Sequence, residues 1–496
     1  MQRILPPPRS LGLFGIERTR AIEQRACAAL PPHALMRRAG AAVARLALAV
    51  APHASTIWIV CGPGNNGGDG LDAAIRLHEL GKQVHVTLLG DPGHLPADAR
   101  DAWERARAAG IAVDGSLAAT PAAELAIDAL LGIGATRPPR DALAEAIAHL
   151  NALACPVLAI DVPSGLNVDT GQPLGEHAVR ARHTLSLLSL KPGLFTAAGR
   201  DHAGEVWFDD LGVDTGAEIP DAWLGGSPSD TPPPRRHAQH KGSFGDVAVV
   251  AGAPGMSGAA LLAGRAALAA GAGRVYVDPL DDRAAGLDSQ RPELMFRHGW
   301  WKSPEATLLA GTVVCGCGGG EAVREPLPRL LSAAGRLVLD ADALNAIAAD
   351  TSLQALLTAR ASRARPTVIT PHPLEAARLL ACTASQVQSD RLASAQALAE
   401  RFGCVVLLKG SGSVIAAPGE VPCINPTGTA ALATPGTGDV LAGWIGGLWS
   451  QLGASDAESA LRAARAAAWQ HGAAADADTA RVLRASDLIE AMVRGR

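Results

Sequence analysis

Residues 55–70 read STIWIVCGPGNNGGDG, and the next ten, LDAAIRLHEL, carry helical apolar spacing. A short β-branched run therefore empties through a glycine-rich turn into a helix. The five glycines at positions 62, 64, 67, 68 and 70 let backbone N–H groups approach an anion at that helix's N-terminus. Asn65, Asn66 and Asp69 add side-chain oxygens aimed at the same space. The spacing differs from the GxGxxG dinucleotide fingerprint.

Working outward, QVHVTLL (83–89), a helical stretch near 97–109, AIDALL (126–131), a helical stretch at 141–153 and PVLAIDV (156–162) follow in turn. This rhythm predicts a parallel sheet with helices on both faces. Between about 214 and 240 it collapses into GSPSDTPPPRRHAQH, whose three consecutive prolines read as a linker. A second α/β series starts at DVAVVAG (246–252) and continues through TVVCG, RLVLDAD, PTVITPH and CVVLLKG to a helical end. The expectation is an α/β protein of two domains, residues 1–220 and 239–496, joined by a linker at 221–238.

Composition excludes several classes. With 48% hydrophobic and 19% charged residues the chain is not disordered. A net charge of −4 offers no basic excess for nucleic acid or anionic membranes, and 3% aromatics supply no base-stacking platform. No apolar stretch reaches the ~18–20 residues of a membrane span, and MQRILPPPRS lacks the apolar core of a signal peptide. The eight cysteines are scattered in apolar runs, and Cys315 and Cys317 have no second pair nearby to complete a zinc spacing. A reduced, cytoplasmic protein is expected, and alanine-rich helices with apolar surfaces point to a homo-oligomer. Five lysines stand against 39 arginines, which singles out each lysine.

Two later strand ends resemble the first in chemistry. Asp128 lies within a strand and precedes Gly132-Ile133-Gly134-Ala135-Thr136-Arg137, while Asp161 and Ser164 lie in Asp161-Val162-Pro163-Ser164-Gly165. Carboxyl ends of parallel strands line the ligand crevice, so Asn66, Asp128 and Ser164 could offer oxygens to one hard cation. The competing reading is tight turns with aspartates capping helices. All three together ask for more polar chemistry than turns need.

In the second half, Thr434-Pro435-Gly436-Thr437-Gly438-Asp439 precedes an apolar helix. Gly436 and Gly438 permit a nest of N–H groups for a phosphate, and Asp439 is placed to take a proton from a hydroxyl; its plainer reading is a helix cap. Lys409-Gly410-Ser411-Gly412-Ser413 follows a strand, another strand ends at Pro371-His372-Pro373-Leu374-Glu375, and 337–342 ends in two acidic residues before Asn345. A histidine in that position is more often structural.

GPGNNGGDG, DALLGIG and AIDVPSG, after an early LMRRAG (35–40), resemble the NAD(P)HX epimerase domain over roughly residues 10–215. That resemblance implies a Rossmann-like three-layer sandwich that binds a hydrated nicotinamide nucleotide and K+. By motif, Asn65, Asn66, Gly67, Gly68, Asp69, the loop Gly132, Ile133, Gly134, Ala135, Thr136, Arg137 and Pro138, and Asp161 would contact the nucleotide. Asn66, Asp128 and Ser164 would contact potassium, and Asp161 is the candidate for acid–base work. HKGSFG, GAPGMSGAALLAGRAALAAGAG, VLDADALN, TPHPLEAARLL, LLKGSGSVI and ATPGTGDVLAGWIGGL resemble in order the ADP/ATP-dependent NAD(P)HX dehydratase, a ribokinase-like domain, over about 235–494. This implies that Ala259, Gly318, His372 and Asp439 contact the hydrated dinucleotide, and that Lys409 to Ser413 with Gly438 hold ADP or ATP. Mg2+ is an expected helper, although no all-protein cage for it is visible.

Four departures from these patterns stand out. Arg37 replaces a usual acidic residue, Gly316-Cys317-Gly318-Gly319-Gly320 replaces GPGLG, Thr429-Ala430-Ala431-Leu432 replaces Asn-Pro-Gly-Met, and Pro435 removes one N–H from the nest. The sequence thus implies a bifunctional enzyme, an isomerase and a lyase, acting on NADHX or NADPHX. A ribokinase-superfamily vitamin-precursor kinase is the leading rival, disfavoured because a simple kinase needs no NNGGDG partner. A nucleotide-binding sensor with a decayed site is the non-enzymatic one.

Overall fold

The computed structural model describes residues 1–4, 6–117, 121–216, 218–228, 234–478 and 481–495. The chain forms two compact units, Met1–Leu5 with Gly12–Ala222, and Pro6–Leu11 with Trp223–Arg496. Both have the expected α/β architecture. Among the described residues no helix is long and apolar enough to cross a membrane.

In the first unit the sheet runs in the order Gln2–Arg3, Glu205–Asp209, His183–Leu187, Val157–Ile160, Leu125–Ala129, Thr56–Cys61, Gln83–Leu88 and Val113–Asp114. Every pairing is parallel except that of Gln2–Arg3. Side chains alternate: Ile57, Ile59 and Cys61 enter one core, Trp58 and Val60 the other, so helices cover both faces. From Thr56–Cys61 the chain moves outward to Val113–Asp114, then returns to Leu125–Ala129 on the opposite side. That reversal opens a crevice at the strands' carboxyl ends. The Asn65–Glu79 helix can start there because its glycines carry no side chain. A methyl group at Gly67 would stand 2.0 Å from the Gly62 carbonyl oxygen, and one at Gly70 would stand 2.6 Å from Ala129 Cβ.

The second unit's sheet runs Met295–Phe296, Arg274–Pro279, Asp246–Ala251, Thr312–Cys315, Arg336–Leu339, Thr367–Ile369, Val405–Leu408, Val414–Ala416, Cys423–Ile424 and Ala222–Leu224. Val414–Ala416 is antiparallel to both neighbours. Trp223 and Leu224 pair with Cys423 and Ile424, so the stretch expected as a linker contains a strand; its residues 229–233 lie outside the described residues. Val247 and Val249 face one core, Ala248 and Val250 the other.

The helix Thr437–Ser450 bears Asp439 in its first turn and packs against Ser257–Ala269. Gly443 and Gly447 make this approach possible: methyl groups there would stand 2.1 Å from the Ala263 carbonyl oxygen and 2.3 Å from that of Ala267. Gly443→Ala is therefore expected to destabilise the second unit by about 1–3 kcal/mol, the usual cost of overpacking. Denaturant unfolding followed by circular dichroism checks this; an unchanged midpoint would contradict the packing described.

Candidate active sites

The first crevice encloses a cavity of about 470 Å³. Asn65, Asn66, Asp69, Gly132, Ile133, Gly134, Ala135 and Asp161 all line it. Gly67 and Gly68 are buried behind, Gly68 so close to Met36 that a methyl would stand 2.6 Å from its Cε. Thr136, Arg137 and Pro138 continue the same loop but are exposed and outside the lining. The helix N-cap, Gly64, supplies no side-chain cap, which leaves the helix's leading N–H groups facing the cavity.

Asp161 adopts φ +67°, a left-handed conformation that stores strain where a side chain must be aimed. Its carboxylate accepts from the Leu187 N–H at 3.0 Å and from the ammonium of Lys191, which is fully buried and also donates to the Leu187 carbonyl at 2.7 Å. Glu23 reaches the same cavity from the first long helix, Ile16–Ala29. Burial and then the neighbouring Asp161 raise the Glu23 pKa. Burial, reinforced by Asp161 and Glu23, likewise pushes Asp69 well up.

Asp128 and Ser164 lie beneath the lining. Asp128 is completely buried and accepts from Ser164 N–H at 2.8 Å, Ser164 Oγ at 2.6 Å and Leu130 N–H at 3.2 Å. All three donors are neutral, and burial lifts the Asp128 pKa to about 6 against their pull. The Asn66 side chain packs beside Gly132, and its Nδ2 is buried without a partner. Among the sequence-picked cation residues, Asp128 and Ser164 are thus in direct contact, with Asn66 placed over the adjoining loop.

In the second unit one oxygen or sulfur atom each of Cys317, Asp340 and Asp439 lies within 4.8 Å of the others. Asp340 accepts from Lys409 Nζ at 2.5 Å and Thr370 Oγ1 at 2.8 Å, and Cys317 Sγ stands 3.9 Å from its other oxygen. Burial would lower the Lys409 pKa, but Asp340 and Glu375 hold it above its usual value. Asp439 sits in the first turn of its helix, where burial first and then Asp340 raise its pKa to about 7. Gly436, at φ +89°, turns the chain into that helix. Gly438 faces the buried pair: a methyl there would stand 3.4 Å from Lys409 Nζ.

The remaining sequence-picked residues surround this centre unevenly. Ala259 and Gly318 face each other, a methyl at Gly318 lying 2.8 Å from Ala259 Cβ. His372 caps the helix Pro373–Leu380: its Nδ1 accepts from Leu374 and Glu375 N–H groups, and its Nε2 lies 3.1 Å from Glu375. Both ring nitrogens are thereby engaged, leaving the half-exposed ring edge for other contacts. In the loop Lys409–Ser413, Gly410 and Gly412 have φ of +137° and +59°, and Ser413 Oγ donates to the Gly410 carbonyl at 3.1 Å. Arg391 fastens this loop from below, donating to the Leu408 and Lys409 carbonyls. Of the departures, Arg37 is exposed and Cys317 fully buried.

Lys191, Glu23 and Thr370 were not picked from sequence as site residues, and Asp340 was noted only as one of two acidic residues at a strand end. The scarcity of lysine was the available signal, since two of the five, Lys191 and Lys409, pair with carboxylates in the two centres.

Fold and sites define a two-unit α/β enzyme, each unit presenting a glycine-lined helix N-terminus beside a buried carboxylate. Residues 32–193 match the family model of the YjeF-related protein N-terminus, and residues 247–494 match that of NAD(P)H-hydrate dehydratase. The bifunctional NAD(P)H-hydrate repair enzyme of Escherichia coli is 37% identical over 484 residues, covering 93% of this chain and 88% of its own. That of Coxiella burnetii is 36% identical, covering 89% of each. The ADP/ATP-dependent NAD(P)H-hydrate dehydratase of Bacillus subtilis, co-crystallized with ATP and Mg2+, is 30% identical, covers 53% of this chain and 93% of its own, and superposes with a TM-score of 0.42. The chain belongs to the family of bifunctional NAD(P)H-hydrate repair enzymes.

Two titrations test these electrostatics. Asp128 binds its proton more tightly when folded, about pH 6 against 3.8, so its own contribution to the first unit's stability is fully present in acid and is lost as pH rises through that window. The loss is about 3 kcal/mol at ~1.4 kcal/mol per pKa unit, read by calorimetry in potassium-free buffer. In Asp340→Asn, a like charge disappears and Lys409 is released toward Asp439, so the Asp439 titration seen by carboxyl NMR should move below 7 by about one unit or more. An unmoved midpoint would show that Asp340 does not act on it.

Proposed function

We propose that the first unit interconverts the R and S epimers of hydrated NADH or NADPH, and that the second dehydrates the S epimer at the expense of ADP or ATP. Family membership supports the substrate. One observation carries the chemistry: Asp439, at a helix N-terminus, has a pKa of about 7 beside the Lys409–Asp340 pair. Hydroxide is a poor leaving group and a phosphate ester a good one. In this reading Asp439 takes the proton of the hydrate hydroxyl, whose oxygen attacks the terminal phosphorus of the nucleotide as the bridging P–O bond breaks and AMP (from ADP) or ADP (from ATP) leaves. The N–H groups at Gly436–Gly438 stabilise the transferring phosphoryl group. The ring nitrogen's electron pair then expels phosphate to give an iminium, and loss of a proton from the adjacent ring carbon restores the double bond of reduced nicotinamide. The loop from Lys409 to Ser413 is assigned to the nucleotide, and Ala259, Gly318 and the edge of His372 to the dinucleotide.

In the first unit, the cavity from Asn65 to Asp69, the loop from Gly132 to Pro138 and Asp161 are assigned to the hydrated dinucleotide, with Asp161 as acid–base group oriented by Lys191. The donor set beneath the cavity fits potassium: Asp128 is a buried carboxylate whose protein partners are all neutral, and Ser164 Oγ adds a hard neutral oxygen 2.6 Å from it. Asn66, Asp128 and Ser164 would hold the ion, which would supply the missing countercharge and brace the Gly132 loop. Cys317, Asp340 and Asp439 do not fit resident magnesium, because a thiol is a soft ligand and Asp340 is already bound by Lys409 and Thr370. Magnesium therefore belongs with the nucleotide's phosphates. A cytoplasmic homo-oligomer completes the proposal.

Asp439→Asn is expected to lower S-epimer dehydration 10²- to 10⁴-fold, in line with loss of a general base, while R-to-S conversion followed by chromatography is unchanged. Wild-type kcat/KM should fall tenfold per pH unit below about 7, because the base must be deprotonated. Full dehydration by Asp439→Asn would overturn the assignment. Potassium chloride, but not tetramethylammonium chloride, should stabilise the first unit thermally at pH 8, and Asp128→Ala should lose that response.

A further inference from the structure

Interconverting two epimers requires bond breaking on one face of the reacting carbon and bond making on the other. A single proton-transfer group serves one face. Asp161, held in one orientation by Leu187 N–H and Lys191, leaves the second face without such a group.

The helix Ile16–Ala29 brings a second carboxyl to the same cavity. Its Thr19, Arg20, Glu23 and Cys27 line the cavity from one helical face. The helix is tied at its start, where Gly15 N–H donates to Asp221 at 2.8 Å and Ile16 N–H to Asp169 at 2.9 Å. One turn on, Thr19 Oγ1 meets Ser189 Oγ at 2.8 Å, on the segment from Leu187 to Lys191 that clamps Asp161. Glu23 stands one turn beyond that tie, so the same stretch of chain positions both carboxyls.

Glu23 is half-buried, and among the described residues no hydrogen bond or ion pair holds it. Carboxylates that brace this unit are paired, Asp72 with Arg76 and Arg105, and Asp209 with Arg45. Burial is the largest influence on the Glu23 proton. Asp161 and Asp98 strengthen its hold, Lys191 and Arg20 weaken it, and the balance lies above the usual carboxylate range. Asp69 and Cys27 respond to the Glu23 charge in turn. Two carboxyls of unlike surroundings thus share one cavity, one ion-paired and the other without a partner, which is the setting that separates acid from base.

We propose, on the reading of this cavity as the epimerase centre, that Glu23 is a second catalytic residue of the epimerisation, acting as acid on one face of the hydrated ring while Asp161 acts on the other. Glu23 gives its proton to the hydrate hydroxyl. The C–O bond breaks, its electron pair leaves with water, and the ring nitrogen's lone pair forms the C=N bond of an iminium. A water molecule then adds to the other face, the C=N pair returns to nitrogen, and Asp161 takes the proton that this water loses. The other epimer runs the same steps with the two groups exchanged.

The test follows R-to-S conversion by chromatography in the full-length protein without ADP or ATP, for wild type, Glu23→Gln and Glu23→Asp, each with native circular dichroism. Glu23→Gln should lower kcat about 10²- to 10⁴-fold, with KM changed by less than about threefold. Glu23→Asp keeps the acid and should remain at least about tenfold more active than Glu23→Gln. Wild-type kcat should decline on the alkaline side, where Glu23 loses its proton, and Glu23→Gln should lack that decline. In oxygen-labelled water, each wild-type turnover should leave the label in the product epimer. An active wild type matched by an equally active Glu23→Gln would overturn the role of Glu23 and leave the epimerase reading standing. So would a rise in KM at unchanged kcat, which marks a binding group, or an unlabelled product. A wild type no faster than spontaneous epimerisation would overturn the epimerase reading itself, and the role of Glu23 with it.

Discussion

Main-chain N–H groups can serve a ligand only where no side chain stands between them and it. Both units are built around that constraint. In the first, Gly62 and Gly67 meet so closely that any β-carbon would collide with backbone, and the Asn65–Glu79 helix begins at the crevice as a result. In the second, Gly436 turns the chain into the Thr437–Ser450 helix while Gly443 and Gly447 press that helix onto its neighbour. Glycine thus acts twice, at the ligand and behind it, and the helix dipole adds its field at the same points.

The two centres treat buried carboxylates differently. The Asp340 carboxylate is matched by Lys409 and Thr370. That charge, together with burial, keeps Asp439 poised between its protonated and ionised forms near neutral pH. A proton acceptor in phosphoryl transfer needs this balance. Asp128 has only neutral donors. Asp161 is held by Lys191 and by backbone strain, as suits a group that must keep one orientation.

Much of this was legible from residues alone. The alternation of β-branched runs with helical stretches gave both α/β units, and the glycine runs at 62–70 and 436–438 marked both helix N-termini. Contacts between distant segments were not legible. Nothing local to Lys191 shows that it folds onto Asp161, nor that Lys409 meets Asp340 across the sheet. The strand at Ala222–Leu224 escaped because three residues among glycines and prolines carry too short a period to read. His372 shows a further limit, since capping and ligand binding place a histidine in the same position, and the structure uses its ring for the cap.

The central claim is that one chain carries two complementary activities on one damaged cofactor. The direct measurement incubates the purified protein with a mixture of R- and S-NADHX, potassium, magnesium and either ADP or ATP, while the absorbance of reduced nicotinamide is followed. The account predicts that NADH is recovered completely from both epimers, faster than spontaneous epimerisation allows, with one nucleotide preferred. Recovery that stops at the S fraction, or none with either nucleotide, would contradict it.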